Sequence, residues 1–206
     1  MGQYTSHMTG AVSTVADQIV LGSFGAALAA GASVIAFILG AATTSILVNW
    51  GLRESLRGAY CLPLVLEAVL LLAFGAFGAA LSAFPAVFAP TTVLLLCYLM
   101  GLQNAVITKI SKTEIRTTHV TGLITDIGIE VGKAFFINRD PEKPMVGADR
   151  RKLRMCTGLA GFFLAGGLVG ALGFKLAGYI ATVPLALILA ALCARPIAQD
   201  LVIKRG

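Results

Sequence analysis

Both histidines of this 206-residue chain lie in one repeated motif. Residues 5–13 read Thr-Ser-His-Met-Thr-Gly-Ala-Val-Ser, and residues 117–125 read Thr-Thr-His-Val-Thr-Gly-Leu-Ile-Thr. Both copies share one order of residue types from the second position of the motif. The order is hydroxyl, His, apolar, Thr, Gly, apolar, apolar, hydroxyl. We interpret the two copies as an internal repeat.

The Thr-Gly pair in each motif suits the start of a helix. A Thr hydroxyl can bond free backbone N–H groups, and Gly permits the close approach of another chain or a ligand. A helix N-terminus carries about half a positive charge, which favours anions. We therefore expect a small-solute site, with an anion as one candidate ligand. Its predicted lining residues are Thr9, Gly10, Ser13, Thr121, Gly122 and Thr125.

The histidines, His7 and His119, are predicted to gate this site or to carry protons, because imidazole changes charge near neutral pH. A plainer interpretation stays open for both motifs. Each would then be a capped interfacial helix whose hydroxyls bond backbone and whose glycine packs against a neighbouring helix.

Glu67 is a carboxyl group about two turns into an otherwise apolar segment. An ionised carboxylate at the centre of a membrane helix costs about 2.5–3.5 kcal/mol on insertion scales. We predict a proton-carrying role for this residue. The alternative is that Glu67 lies near the inner membrane interface and pairs with Arg57 or another basic residue.

Features of an enzyme are missing from the sequence. It contains neither a nucleophile elbow nor a phosphate-binding loop, and His-x-Thr is not a metal-ligand spacing. The four cysteines lie far apart without a C-x-x-C pair. We predict a protein that is not an enzyme and expect neither a cofactor nor a metal. The acidic residues of the motif helices, Asp17, Asp126 and Glu130, are expected on solvated or interfacial faces.

The composition indicates that these motifs are held by membrane helices. The chain is 57% hydrophobic and only 13% charged, with a mean hydropathy of +0.87. A soluble domain carries about 25% charged residues, so lipid is the indicated solvent. The basic residues fit membrane topology better than nucleic-acid binding, which we do not expect.

Five segments are predicted to cross the membrane, because each is long enough for a hydrocarbon core of about 30 Å. A short helix follows each motif, over residues 12–21 and from 121 towards 136. Gly40 and Thr44 form a small-x-x-x-small face for helix packing. Residues 113–120 are expected to be extended, 84–90 to form a hairpin, and Pro196 to end the last crossing. The predicted crossings are residues 26–48, 60–81, 91–108, 156–174 and 176–194.

Three of these crossings separate the two motifs. An odd number inverts the second copy in the membrane, so the sequence predicts an all-α membrane protein with two inverted-topology repeats, as in many secondary transporters. We expect a single transmembrane domain, residues 1–206, with a first repeat over 1–88 and a second over 89–206. Motif two has a preceding helix and motif one does not, so the first repeat is expected to be N-terminally incomplete.

The basic residues predict the orientation of the chain. If the loop at residues 53–57 is cytoplasmic, 15 of the 16 Lys and Arg residues lie inside and only Lys175 lies outside. We therefore expect a cytoplasmic C-terminus and an external N-terminus. The basic cluster at the foot of one crossing is a predicted contact for anionic lipid. Its members are Arg150, Arg151, Lys152 and Arg154.

The chain resembles the YoaK-type family of uncharacterised bacterial membrane proteins. The resemblance rests on residues 4–10 (Tyr-Thr-Ser-His-Met-Thr-Gly), residues 101–106 (Gly-Leu-Gln-Asn-Ala-Val) and residues 117–122. It implies a bacterial inner-membrane protein with six transmembrane helices in a complete member, of which this chain lacks the first.

The repeat architecture, more than the resemblance, indicates a function. We predict transport of a small solute, with a non-transporting membrane scaffold or sensor as the alternative. A homo-oligomer is a further candidate assembly.

Overall fold

The computed structural model describes residues 5–81, 85–110, 120–138 and 144–203. Within these residues the chain forms seven α-helices and one 3₁₀ helix, and no strand. The predicted all-α class is confirmed. The extended segment expected over residues 113–120 lies outside the described residues apart from Val120. The helices are α1 Met8–Val20, α2 Phe24–Arg53, α3 Cys61–Leu81, α4 Pro85–Ile110, α5 Val120–Ala134, α6 Arg150–Ala177, the 3₁₀ helix η1 Gly178–Ala181, and α7 Thr182–Ile203.

Several helix boundaries differ from the sequence prediction. Helix α4 already begins at Pro85, where a hairpin was expected, and it contains Pro90. Helix α6 begins at Arg150, because the Asp149 carboxylate accepts hydrogen bonds from the amides of Arg151 and Lys152 and so caps the helix. Helix α7 continues beyond Pro196 to Ile203, so the predicted end at this proline is wrong.

Helices long and apolar enough to cross a membrane account for most of the described chain. They lie in Phe24–Arg53, Pro90–Ile110 and Arg150–Asp200, and the last of these stretches contains both α6 and α7. Cys61–Ala76 in α3 is a shorter apolar helix. This length and apolarity identify the chain as a membrane protein.

The chain divides into two compact units. The first unit comprises Met1–Ile115 and Phe174–Gly206, and the second comprises Arg116–Gly173. The first unit contains motif one and helices α1 to α4, η1 and α7. The second contains motif two, α5 and most of α6. The division into repeats over 1–88 and 89–206 stays a prediction, because it is defined by sequence similarity and not by contacts.

In the first unit α2 and α4 cross with their backbones in contact. A Cβ added at Gly40 would overlap the carbonyl oxygen of Tyr98, and one added at Gly101 would overlap the carbonyl oxygen of Phe37. One turn from Gly40, the buried Thr44 hydroxyl donates to the carbonyl oxygen of Leu102 at 2.9 Å. The crossing therefore depends on small residues on both helices. The spacing of Gly40 and Thr44 predicted this packing face.

The turn from α1 to α2 depends on Gly22, which has a φ of +71°. The amide of Ser23 donates to the carbonyl oxygen of Gln18, and the amide of Gly22 donates to that of Ile19. These two bonds form a Schellman motif, in which glycine adopts the left-handed conformation without penalty. The turn reverses the chain and places motif one beside α2.

Helices α3 and α7 form a second packed pair in the first unit. The Phe74 ring lies 5.6 Å from that of Tyr179, edge to face, and Gly78 leaves room for the tyrosine. At the other end of α7, Asp200 accepts hydrogen bonds from the amides of Arg57 and Gly58, at 2.9 and 2.8 Å. This carboxylate holds the end of α7 against the loop that precedes α3, which explains why the helix continues past Pro196.

Substitution of Gly40 by alanine tests the α2–α4 crossing. We expect Gly40→Ala to destabilise the protein by about 1–3 kcal/mol, because the new methyl group must displace the backbone of α4. Gly31→Ala on the same helix is the control. No atom lies within 4 Å of its added Cβ, so it should be neutral or stabilise by up to about 1 kcal/mol. Thermal unfolding in detergent measures both, and equal effects would contradict the close crossing.

Candidate functional site

A cavity of about 560 Å³ lies between motif one, α2 and α4, entirely within the first unit. Its volume lies in the range of about 300–1,000 Å³ that is typical of small-molecule sites. Alanines of α1 and α2 form much of its wall. The lining residues are Thr5, His7, Met8, Gly10, Ala11, Thr14, Ala26, Ala29, Ala30, Ala32, Ser33, Pro90, Val93, Leu94 and Cys97.

Gly10 determines where the His7 side chain lies at this cavity. His7 is the residue immediately before α1, and its side chain makes no capping hydrogen bond. A Cβ at Gly10 would come within 2.8 Å of Nδ1 of His7, so only glycine accommodates the imidazole in this position. The His-x-x-Gly spacing of motif one thus places an imidazole over the first turn of a helix and against the cavity.

The other polar groups of the cavity are hydroxyls and one thiol. The Thr14 hydroxyl donates to the carbonyl oxygen of Gly10 at 2.9 Å, and the Ser33 hydroxyl donates to that of Ala29 at 3.1 Å. The Cys97 thiol lies within hydrogen-bonding reach of Ser33. Because both hydroxyl protons are used within their own helices, the oxygens face a solute as acceptors. No lining residue carries a fixed charge.

Pro90 lines the same cavity from inside α4. Proline has no N–H and cannot donate to the carbonyl group four residues earlier. Within a membrane such a backbone irregularity is tolerated where protein or a water-filled cavity surrounds it. The position of Pro90 beside the cavity fits this rule.

Of the predicted site residues in motif one, Gly10 and His7 line the cavity. Thr9 and Ser13 are exposed and are not among the lining residues. Sequence reasoning missed Thr14, Ser33, Pro90 and Cys97. Ser33 carried a signal, because it is the single hydroxyl residue between positions 24 and 42, a stretch rich in alanine.

Motif two lies in the second unit, and α5 is described from Val120, the position equivalent to Met8 at the start of α1. Thr121 is exposed and Gly122 is half-buried. The Thr125 hydroxyl donates to the carbonyl oxygen of Thr121 at 2.8 Å, within the same helix. His119 lies outside the described residues. The predicted participation of Thr121, Gly122, Thr125 and His119 in a site stays a prediction.

Glu67 lies inside the first unit with its side chain almost wholly buried. It is 4% exposed, and no described residue donates a hydrogen bond to its Oε2. Nor do the described residues contain an ion pair between Glu67 and Arg57, whose amide binds Asp200 instead. The predicted pair with Arg57 is thus absent from the described residues, and the role of Glu67 stays a prediction.

The second unit contains a polar network around Glu130. This residue is buried, although its position in the helix indicated a solvated face. Its carboxylate pairs with Lys133 at 2.8 Å and accepts a hydrogen bond from the amide of Asp149, also at 2.8 Å. Asp126, one turn earlier, is partly exposed and pairs with Lys152 at 2.9 Å.

Hydrogen bonds determine the charge of this network. The bond from Lys133, with a second from the Asp149 amide, lowers the pKa of the Glu130 carboxyl. The hydrogen bond from the Lys152 amide lowers the pKa of the Asp149 carboxyl most, and the bond from the Arg151 amide lowers it further. Both groups are therefore held as carboxylates, and they tie the loop before α6 to α5.

Known proteins were compared with the whole chain. Residues 1–194 match the family described as "Protein of unknown function (DUF1275)". The chain belongs to this family. No curated protein and no solved structure matches it. Membership of the DUF1275 family supports the resemblance to an uncharacterised family, whereas the YoaK-type relationship and a missing first helix stay predictions.

The described parts of this DUF1275 protein contain no set of side chains that could bind a metal ion. No group of three His, Cys, Asp or Glu side chains lies close enough together there to hold an ion.

The pH dependence of stability tests the Glu130 network. Because its pKa is lowered in the folded state, Glu130 stabilises the fold above its ordinary pKa of 4.5, and this stabilisation is lost as the pH falls through the lowered value. We expect Glu130→Gln to lower the melting temperature at neutral pH and to match the native protein in strong acid. Melting curves against pH measure this difference, and a difference that persists in acid would contradict the account.

Proposed function

We propose that this chain is a small-solute transporter whose binding site is the cavity between motif one, α2 and α4. The observation that carries the proposal is the composition of this cavity. It combines apolar walls with a few converging polar groups, which is the usual chemistry of a ligand site. Motif one supplies His7 and Gly10, while Pro90 places an irregular backbone at the same position.

The lining favours an uncharged solute over the anion that the motif suggested. A desolvated anion needs a fixed positive charge or several free donors. Besides the first turn of α1 and the His7 imidazole, the described lining offers only the Thr5 hydroxyl and the Cys97 thiol as donors, since Thr14 and Ser33 use their hydroxyl protons locally. We therefore assign the site to a small, mainly apolar molecule with one or two polar groups, at least one of them a hydrogen-bond donor.

The topology belongs to the same proposal. Inverted repeats suit a transporter, because related halves can expose one site alternately to the two sides. The distribution of Lys and Arg supports a cytoplasmic C-terminus and an external N-terminus. The apolar segments support five crossings, and the resemblance to a bacterial family supports the inner membrane of a bacterium. Arg150, Arg151, Lys152 and Arg154 would then contact anionic lipid from the cytoplasmic side. We propose no catalytic activity.

Water access to the cavity tests this function. In a background whose four cysteines are replaced by alanine, Ala32→Cys places a thiol in the cavity, and Ile35→Cys places one on an outward face that is 59% exposed. In liposomes a charged, membrane-impermeant thiol reagent should modify position 32 and not position 35. The reason is that the outward face contacts lipid while the cavity holds water.

The direction of access separates a transporter from a scaffold or sensor. A transporter exposes position 32 to reagent from each side in different states, and a bound solute protects it. Access from one side under all conditions, or equal labelling at positions 32 and 35, would overturn the proposal.

A further inference from the structure

The Glu67 carboxyl differs from the other buried polar side chains of the described residues. Thr44 donates to Leu102, Thr182 donates to Tyr179, and Glu130 pairs with Lys133. Glu67 alone keeps a buried side-chain oxygen without a hydrogen-bond partner among those residues. A buried polar group left unpaired in this way demands a functional or structural explanation.

The groups on α7 that approach α3 provide no cation for this carboxyl. Cys193 is buried and lies close to Cys61 and within electrostatic range of Glu67. Asp200 is occupied by the loop before α3, and Arg195 is exposed. The immediate titratable neighbours of Glu67 on this side are therefore thiols.

The other elements packed on α3, which are α2, α4 and η1, also leave Glu67 without a described counter-charge. The single charged residue of α2, Arg53, lies in its last turn and is exposed. On α4, Tyr98 donates to Thr43 and Lys109 donates to Asn49, so both are engaged with α2. The α4 thiol, Cys97, faces the cavity. On η1, the Tyr179 ring packs edge to face against Phe74.

The surroundings of Glu67 therefore discriminate between the ionised and the neutral form of its carboxyl group. An ionised carboxylate in an apolar interior without a cation is strongly disfavoured, whereas the neutral acid is tolerated. A purely structural position would be filled as well by an apolar side chain of similar size. A carboxyl group in such a place is useful because it can take up and release a proton when its surroundings change.

We propose that Glu67 is a proton-binding site between α3 and α7, separate from the solute cavity. None of the described residues that line the cavity belongs to α3 or α7. The two sites therefore lie on different helix pairs of one compact unit. That the proton drives solute movement rests on the proposed transport function, while the proton site itself does not.

Labelling with a hydrophobic carbodiimide tests the proton site directly. The reagent adds to a carboxylic acid only in its protonated form and partitions into the membrane. On the full chain in liposomes we expect an adduct on Glu67, found by mass spectrometry of its peptide, whose yield falls several-fold as the buffer is made alkaline. Glu130, which is ion-paired, is the internal control and should stay unlabelled.

Two variants make the outcome decisive. Glu67→Gln should abolish the adduct while the protein still elutes as a folded species, and Ala32→Phe, which places a ring in the solute cavity, should leave labelling unchanged. An absent adduct, or a yield that does not vary with pH, would overturn the proton site. Labelling as expected in a protein whose position 32 is closed to water would instead overturn the transport proposal and retain the proton site.

Discussion

The backbone contact between α2 and α4 is the constraint on which the first unit depends. Gly40 and Gly101 each occupy a position where a single added carbon would meet the backbone of the opposite helix. In lipid, such close approach replaces the hydrophobic effect as the source of helix association. Thr44 adds a buried hydrogen bond to Leu102 at the same crossing. The close crossing fixes how these two helices diverge along the rest of their length.

The cavity is a consequence of that crossing together with the turn at Gly22. The two helices touch at Gly40, and towards Ala29 and Pro90 they leave a space that motif one and α1 partly close. Glycine residues therefore determine the packing at three places in the first unit. It brings α2 and α4 together, reverses the chain before α2, and seats the His7 ring over α1. Glu67 belongs to a different pair, α3 and α7, so the proposed solute site and the proposed proton site lie on separate packing surfaces.

Local patterns predicted the elements well and the site only in part. Apolar length predicted the helices, and the Gly40–Thr44 spacing predicted a packing face, because both depend on residues close in sequence. The cavity combines motif one with Ser33 and Pro90, which only the tertiary contacts bring together. Glu130 was placed on a solvated face because its partner, the amide of Asp149, lies in a loop that no helical pattern describes. Pro196 was read as a helix end, whereas Asp200 holds the helix beyond it.

Our proposal depends above all on the binding of a small uncharged solute in the cavity beside motif one. A panel of uncharged, zwitterionic and anionic compounds, tested for thermal stabilisation of the purified chain in detergent, addresses it directly, since a ligand that binds only the folded state raises the melting temperature as its concentration increases. We expect concentration-dependent stabilisation by at least one uncharged compound, and weaker stabilisation in Ala32→Phe, whose ring obstructs part of the cavity. Stabilisation by anions alone, or equally in both proteins, would contradict it.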